Sequence, residues 1–379
     1  MAIATEELTR VTTHQPETIT GFAYIEYYVG NARQAAHFWR TAYGFKPIAY
    51  CGLETGVRDR TSIFMQQNDI RLLLTAAVDR HSPIARHVEE HGDDVKDIAF
   101  EVEDASAAYE AAVTRGAMPL MPPTVFEDDS GSMTKATISA FGDTVHSFIE
   151  RDGPSSRDSA ADAYFPNFEL VRHAPPVVPT GLQQVDHVAV CLEPRKLEEM
   201  VGFYTDVLNF HHSHTEDVLT EYSSMNSKVV ENRMGQIKFA LVEPGAGTRR
   251  KSQIEEYLSF HEGPGAQHVA FSSPDITATV RALRANGNEF LRVPDTYYQA
   301  LRTRVGDIDE DLEALRGLNI LADRDQWGYL MQIFSKPILD RPTIFTEIIQ
   351  RKKARGFGGG NIRALFEALE REQALRGNL

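Results

Sequence analysis

Residues 265–275 read GAQHVAFSSPD, and residues 94–104 read DVKDIAFEVED. In the later stretch an Ala-Phe pair begins two residues after His268, and an aspartate follows His268 by seven residues. The earlier stretch has the same spacing from Asp97. Both are short apolar runs with the length of a buried β-strand. The chain therefore contains an internal repeat, and only the later copy has a histidine at this position.

Two more positions extend the repeat. Tyr24 in FAYIEYYV corresponds to His187 in VDHVAVCL, and Ser147 in HSFIERD corresponds to Glu347 in FTEIIQR. The three positions thus read Tyr, Asp, Ser in the first half and His, His, Glu in the second. Two imidazoles and one carboxylate are the donor set of a facial triad for a redox-active divalent metal. We expect a metal site in the second half and a metal-free copy in the first.

The order of β-rich and helix-like runs predicts an α+β protein. Each half repeats a strand–helix–strands unit, which is typical of paired βαβββ modules that form a curved mixed sheet around a cavity. The expected segments are a flexible N-terminus at 1–20, a metal-free domain at 21–152, a linker at 153–180 and a catalytic domain at 181–379. The linker is rich in Pro, Ser and Ala, without a sustained period.

An amphipathic C-terminal helix is expected from Asn361, because Ile362, Leu365, Phe366 and Leu369 fall at helical spacing. It follows the glycine-rich stretch GFGGG at 356–360. This arrangement predicts a lid that closes over a site, with a simple docked terminal helix as the alternative.

The composition limits the class of protein. Of the 379 residues, 42% are hydrophobic and 25% charged, with a net charge of −15. That charge disfavours a nucleic-acid partner, and no apolar run reaches the length of a membrane span. The N-terminal stretch has no apolar run of the signal-peptide type, so we expect no secretory signal. The two cysteines, Cys51 and Cys191, support neither a disulfide framework nor a thiolate site. We therefore expect a cytoplasmic location without membrane partners.

Each ligand candidate has an ordinary alternative role. A single strand histidine is more often a hydrogen-bonded core residue, and the carboxylate could lie on an exposed edge. The coincidence of all three in one copy of the repeat favours a metal. Zinc competes as the ion, but the chain lacks the H-E-x-x-H motif of hydrolytic zinc sites. The neighbouring HHSH stretch at 211–214 is expected to be a solvated loop.

Several stretches resemble one enzyme family, that of 4-hydroxyphenylpyruvate dioxygenase and 4-hydroxymandelate synthase. They are VDHVAV (185–190), SQIEEYL (252–258), GAQHVAF (265–271), ILADRDQWGYLMQIF (320–334), RPTIFTEIIQR (341–351) and GFGGGNIRALFEALEREQ (356–373). The resemblance implies a vicinal-oxygen-chelate fold, an Fe(II) cofactor, O₂ as co-substrate and a 2-oxo acid substrate that is oxidatively decarboxylated. It also implies that His187, His268 and Glu347 are both the metal ligands and the catalytic residues. The substrate-binding residues it implies are Ser227, Ala240, Val242, Gln253, Gln267, Gln332, Phe334, Phe357, Asn361 and Ile362.

Two of these positions bear on the product. The dioxygenase, which forms homogentisate, usually has asparagine where this chain has Val242 and phenylalanine where it has Ile362. Both differences favour 4-hydroxymandelate, the benzylic alcohol that the synthase forms. The stretches SQIEEYL and RPTIF instead resemble bacterial dioxygenases, so homogentisate formation in tyrosine catabolism is the alternative. Oxygenation of another 2-oxo acid is a second one.

Two other classes of function are compatible with the fold. A non-catalytic binding protein would have no use for a complete triad of ligands. A metal hydrolase or lyase would work with Zn²⁺ and without oxygen. The metal-free half is a candidate interface for a homo-oligomer.

Overall fold

The computed structural model describes residues 19–128, 131–151, 166–220, 223–246 and 251–377. Its first half contains nine strands and three α-helices in these residues. The strands are β1 (Ile19–Tyr28), β2 (Lys46–Cys51), β3 (Arg60–Gln67), β4 (Ile70–Ala77), β5 (Asp94–Val102), β6 (Pro119–Asp128), β7 (Gly131–Ser139), β8 (Val145–Arg151) and β9 (Glu169–Leu170). The helices are α1 (Ala32–Tyr43), α2 (Pro83–His91) and α3 (Ala105–Thr114).

The second half follows the same plan, with additional helices. Its strands are β10 (Val185–Cys191), β11 (His211–Leu219), β12 (Ser224–Glu231), β13 (Lys238–Pro244), β14 (Gly265–Ser272), β15 (Leu321–Arg324), β16 (Tyr329–Phe334) and β17 (Phe345–Lys352). Its helices are α4 (Leu197–Gly202), α5 (Gln253–His261), α6 (Ile276–Ala285), α7 (Asp295–Gln299), α8 (Leu301–Val305), α9 (Leu312–Leu318) and α10 (Gly359–Leu375). Among the described residues, none of these helices combines the length and apolar character that crossing a bilayer requires.

Each half forms one mixed sheet from two βαβββ modules. The first sheet has the order β6-β7-β8-β5-β1-β4-β3-β2-β9, and the second has the order β11-β12-β13-β10-β14-β17-β16-β15. The first strand of each module lies parallel to the last strand of the same module, as β10 does to β13 and β14 to β17. The two modules meet through an antiparallel pair of first strands, β1 with β5 and β10 with β14. The predicted fold is confirmed.

The repeated aspartate has a local structural role. Asp104 is the N-cap of α3 and accepts a 2.8 Å hydrogen bond from the Ala107 amide. Asp275 is the N-cap of α6 and accepts a 3.0 Å bond from the Ala278 amide. A capping carboxylate satisfies an amide that the first helical turn leaves free. The spacing of seven residues is therefore the length of a strand followed by a helix cap.

The two sheets share one apolar core. The ring of Phe45 in the first half lies 6.1 Å from that of Phe271 in the second, and Phe22 lies 6.4 Å from Phe239. Helices of both halves contribute to the same cluster of buried residues. The halves therefore stabilise each other, and the boundaries at 21–152 and 181–379 remain predictions.

Two segments differ from the sequence analysis. The HHSH stretch opens strand β11, at the edge of the second sheet, instead of forming a loop. In the expected linker, residues 169–170 pair with β2 as a short edge strand.

Residues 1–18 and 152–165, which include most of the expected flexible N-terminus and the first part of that linker, lie outside the described residues. Helix α10 begins two residues before the expected start.

Candidate metal centre and substrate pocket

Three neighbouring strands bring the expected ligands together. His187 in β10 lies opposite Ala270 in β14, and Glu347 in β17 lies beside the same alanine. His268 precedes Ala270 by two residues and therefore projects from the same face of β14. Because Ala270 has only a methyl side chain, the three larger side chains can converge above it.

The ligand atoms have the spacing of a coordination sphere. His187 Nε2 lies 3.2 Å from Glu347 Oε2, and His268 Nε2 lies 3.3 Å from the same oxygen. One donor atom from each residue lies within 4.8 Å of the others, and all three residues are buried. Ligands bound at about 2.1 Å stand about 3.0 Å apart at right angles and about 3.4 Å apart in a tetrahedron. The donor set and its spacing therefore fit a single metal ion.

His187 is oriented by an ion pair behind it. Its Nδ1 lies 2.8 Å from Asp186 Oδ1, and since a carboxylate can only accept, Nδ1 donates and Nε2 faces the site. Arg351 donates two 2.8 Å hydrogen bonds to the Asp186 carboxylate. Burial alone would raise the pKa of Asp186, but Arg351 holds it well below its usual range. A carboxylate behind a histidine fixes the ring and strengthens it as a metal ligand.

His268 is oriented by a pair of amides. Its Nδ1 lies 3.1 Å from Gln267 Oε1, and the Gln267 amide donates a 2.9 Å bond to Gln253 Oε1. The ring stacks on Phe345, with 4.9 Å between centroids. Burial lowers the pKa of His268 despite the opposing effect of Glu347, which favours the neutral imidazole that a metal binds.

Glu347 is held by a second chain of hydrogen bonds. Gln332 donates a 2.9 Å bond to Glu347 Oε1, and Asn361 in α10 donates a 2.8 Å bond to Gln332 Oε1. Tyr297 closes the chain by donating to Asn361 Oδ1 at 2.5 Å. Burial by itself would raise the pKa of Glu347, but the two histidines lower it to about 2. The carboxylate is therefore ionised, with Oε2 free to bind a cation.

A cavity adjoins these ligands. It has an open volume of about 60 Å³ and mostly apolar walls. Nine of the ten expected substrate-binding residues line it: Ser227, Ala240, Val242, Gln253, Gln267, Gln332, Phe334, Phe357 and Ile362. Asn361 is the exception, because it is fully buried behind Gln332 and reaches the site through that amide.

Sequence reasoning missed several residues of the cavity wall. They are Ala189, His214, Glu216, Met225, Val229, Leu365 and Phe366. The alternation of side chains in a strand could have indicated two of them, because Met225 and Val229 project from the same face of β12 as Ser227. His214 and Glu216 were missed because the HHSH stretch was expected to be a loop and not the start of strand β11. The Asp186–Arg351 pair was also missed, because its partners are 165 residues apart.

The first half has a polar cluster at the corresponding positions. Tyr24 Oη and Ser147 Oγ donate to Asp97 Oδ2 at 3.0 and 2.6 Å. Lys135 Nζ lies 3.0 Å from the same oxygen. Lys135 pairs with Ile149 across β7 and β8, as Gln332 pairs with Ile349 across β16 and β17. The copy that lacks the ligand set thus contains a lysine ammonium beside its own carboxylate.

Comparisons with known proteins agree with this architecture. Residues 13–165 match the family model described as hydroxyphenylpyruvate dioxygenase, N-terminal. Residues 184–333 match the glyoxalase/bleomycin resistance protein/dioxygenase superfamily. A different family model thus matches each half of the chain.

Full-length relatives are also similar. The chain is 41% identical to 4-hydroxyphenylpyruvate dioxygenase from Yarrowia lipolytica, with 97% of this chain and 95% of the relative covered. It is 41% identical to the enzyme of the same name from Dictyostelium discoideum, covering 95% and 100%. A solved triple mutant of 4-hydroxymandelate synthase from Streptomyces coelicolor has a TM-score of 0.83 and 37% identity, covering 94% and 99%.

The fold and the site define a vicinal-oxygen-chelate protein whose second half contains a triad of two histidines and one glutamate that could hold a metal. The chain belongs to the family of 4-hydroxyphenylpyruvate dioxygenase and 4-hydroxymandelate synthase, and it is an enzyme.

Proposed function

We propose that this enzyme oxidatively decarboxylates and hydroxylates 4-hydroxyphenylpyruvate with Fe(II) and O₂, and that homogentisate is its main product. The main support is the geometry of the site. The Nε2 atoms of His187 and His268 lie 3.2 and 3.3 Å from Glu347 Oε2, beside a cavity with mostly apolar walls. The relatives named 4-hydroxyphenylpyruvate dioxygenase, at about 40% identity over nearly the whole chain, support the substrate and the product.

Fe(II) is the ion that this donor set suits for oxygen chemistry. His187, His268 and Glu347 would hold it, which leaves further positions for ligands from the substrate and the oxidant. The ion would supply the redox step that activates O₂. The two imidazoles donate their Nδ1 protons in hydrogen bonds to Asp186 and Gln267, so their Nε2 lone pairs remain available to bind the metal.

The protein itself would bind and orient the substrate. Gln253, Gln267 and Gln332 provide amide groups near the ligands for the polar 2-oxo acid end. Phe334 and Phe357 provide apolar surface for the aromatic ring. Side chains of α10 form part of the same wall, and they would exclude water during the oxidation. A wall with both amide groups and apolar side chains suits a substrate that has one charged end and one aromatic end.

One observation favours a second product. Val242 and Ile362 both line the cavity, and neither can donate a hydrogen bond to the substrate ring or stack on it. A ring held less firmly could present its benzylic carbon to the oxidant, which would give 4-hydroxymandelate. The sequence analysis favoured this product. The more numerous dioxygenase relatives support homogentisate more strongly, so 4-hydroxymandelate is the second candidate.

The test is oxygen uptake with Fe(II) and 4-hydroxyphenylpyruvate, followed by chromatography of the product. The two products are isomers formed with loss of the same CO₂, so mass alone does not distinguish them, and authentic standards are needed. Homogentisate supports the main proposal, and 4-hydroxymandelate supports the second. Uptake with phenylpyruvate or an aliphatic 2-oxo acid, but not with 4-hydroxyphenylpyruvate, would indicate another substrate. Activity with Zn²⁺ under argon would overturn the oxygenase proposal.

The finer predictions about organisation belong to the same proposal. We assign catalysis to residues 181–379 and a structural role to the metal-free half at 21–152. A cytoplasmic location and a homo-oligomer remain predictions.

A further inference from the structure

A second group of possible metal ligands lies away from the catalytic triad, where the two halves meet. His87 and His91 are four residues apart in α2 and therefore share one face of that helix. Asp143 lies in the turn between β7 and β8 and faces them. One donor atom from each of the three residues lies within 4.8 Å of the others.

The hydrogen bonding of His91 presents one ring nitrogen to this group. His91 Nδ1 lies 2.6 Å from the main-chain oxygen of His261, and since a carbonyl can only accept, Nδ1 donates the proton. In the neutral imidazole, Nε2 then carries a lone pair, and it lies 3.2 Å from Asp143 Oδ2. Two facing lone pairs repel each other unless a proton or a cation lies between them. The same pattern, with Nδ1 bound to a carbonyl and Nε2 to the ion, is common among metal-binding histidines.

His87 provides a second, independent observation. Its side chain is buried, with only 5% of the residue exposed. Neither ring nitrogen has a hydrogen-bond partner among the described residues. A buried polar atom without a partner costs free energy. A bound cation would satisfy one of these nitrogens.

The spacing and the surroundings suit a small dication. Two ligand atoms bound to a tetrahedral zinc ion at about 2.0 Å lie about 3.3 Å from each other. The distance between His91 Nε2 and Asp143 Oδ2 is 3.2 Å. The Asp143 side chain is exposed, so an ion could enter from solvent. Lys96 is a neighbouring cation, and its ammonium donates to the main-chain oxygen of Asp143 and not to the carboxylate.

We propose that His87, His91 and Asp143 form a second metal site, selective for a transition-metal dication of the Zn²⁺ class. Imidazole nitrogens with one carboxylate are a donor set that zinc prefers over magnesium or calcium. His91 also donates to the main-chain oxygen of His261 in α5, so an ion at this site would fix the orientation of a ring that contacts the second half. The site is independent of the catalytic reaction.

The experiment counts metal ions in the full chain. The protein is first loaded with one equivalent of Fe(II) under argon and is then equilibrated with Zn²⁺. Iron and zinc are measured together by elemental analysis after gel filtration. We expect two metal ions per chain in total. Exchange of zinc into the catalytic triad does not change that sum.

The variants are chosen to leave the fold intact. Asp143→Asn removes the exposed charge without changing the size of the side chain, and His87→Gln removes the imidazole. Each should weaken zinc binding at this site by more than about 100-fold, the upper range for loss of an outer-shell partner. Each should therefore return the total to one ion per chain. His81→Gln, an exposed histidine just before α2, is the matched control and should keep two.

Thermal unfolding provides a second readout. Zn²⁺ should raise the Tm of the iron-loaded wild type and of His81→Gln, because it binds the folded state. It should not raise the Tm of Asp143→Asn. A total of one ion in the wild type, or unchanged zinc binding in both Asp143→Asn and His87→Gln, would overturn the proposal.

Discussion

Lys135 Nζ lies 3.0 Å from Asp97 Oδ2 in the first sheet, where Asp97 corresponds to His268, an expected metal ligand of the second sheet. Burial opposes a charge on Lys135, but Asp97 raises the pKa of its ammonium well above the usual range. Tyr24, whose pKa is raised by burial and by Asp97, stays neutral and donates to the same carboxylate. The lysine ammonium thus lies beside a carboxylate in the copy that lacks the His-His-Glu set.

The first prediction concerns the stability of that cluster. Lys135→Met leaves the buried Asp97 carboxylate without its cation, and we expect the free energy of unfolding to fall by about 3 kcal/mol. Adding Asp97→Asn should recover most of the loss, because the amide needs no counter-ion. Urea unfolding of the single and double variants measures both values. Lys196→Met, which removes an exposed lysine, is the control and should change stability little.

The second prediction concerns the three expected metal ligands. His187→Ala, His268→Ala and Glu347→Ala should each lower turnover at least a thousandfold, which corresponds to about 4 kcal/mol of activation free energy. Each should also lose iron on gel filtration, since a site with three protein ligands has no spare one. His211→Ala removes a half-exposed imidazole from β11 and should keep normal turnover. Normal turnover of any triad variant would remove that residue from the site.

The third prediction concerns the amide behind Glu347. Gln332→Leu removes the donor to Glu347 Oε1 and leaves the Asn361 amide unpaired. Loss of such a partner typically weakens metal binding by about 10- to 100-fold. Iron dissociation in the presence of a chelator would measure the change, with Gln66→Leu in the first half as the matched control. An unchanged dissociation rate would show that Gln332 does not hold the ligand.

The fourth prediction concerns the product. Val242→Asn with Ile362→Phe adds an amide and an aromatic wall to the cavity. We expect the ratio of 4-hydroxymandelate to homogentisate to fall at least about tenfold, equivalent to about 1.4 kcal/mol between the two transition states. Chromatography of the products from the wild type and the double variant measures this ratio. If neither protein releases 4-hydroxymandelate, these two residues do not select the product.

Much of the site could be predicted from the sequence because the duplication makes it visible. His187, His268 and Glu347 were identified by comparison with Tyr24, Asp97 and Ser147, because the strands that carry them repeat in the sequence. The fold followed from the same comparison. Neither inference required knowledge of any long-range contact. The substrate-binding residues came instead from the resemblance to the enzyme family.

The remainder depends on contacts that no local pattern encodes. Strand β11 was taken for a loop because it is a polar strand at the edge of the sheet, paired only with β12 and with mostly exposed residues. The group of His87, His91 and Asp143 was missed because a turn of another module supplies its carboxylate. A helical i, i+4 spacing alone does not reveal what faces it.

Arg351 connects Asp186, which orients the expected metal ligand His187, to the start of the C-terminal helix. Its guanidinium binds the Asp186 carboxylate, donates to the main-chain oxygen of Gly356 and lies 5.1 Å from the centre of the Phe357 ring. It belongs to β17, the strand that also carries Glu347. A lysine could supply the charge but not the flat, forked group that serves all three neighbours. Strand β17 therefore positions Glu347 and, through Arg351, the segment that leads into α10. A change in the twist of β17 would displace Glu347 and this segment together.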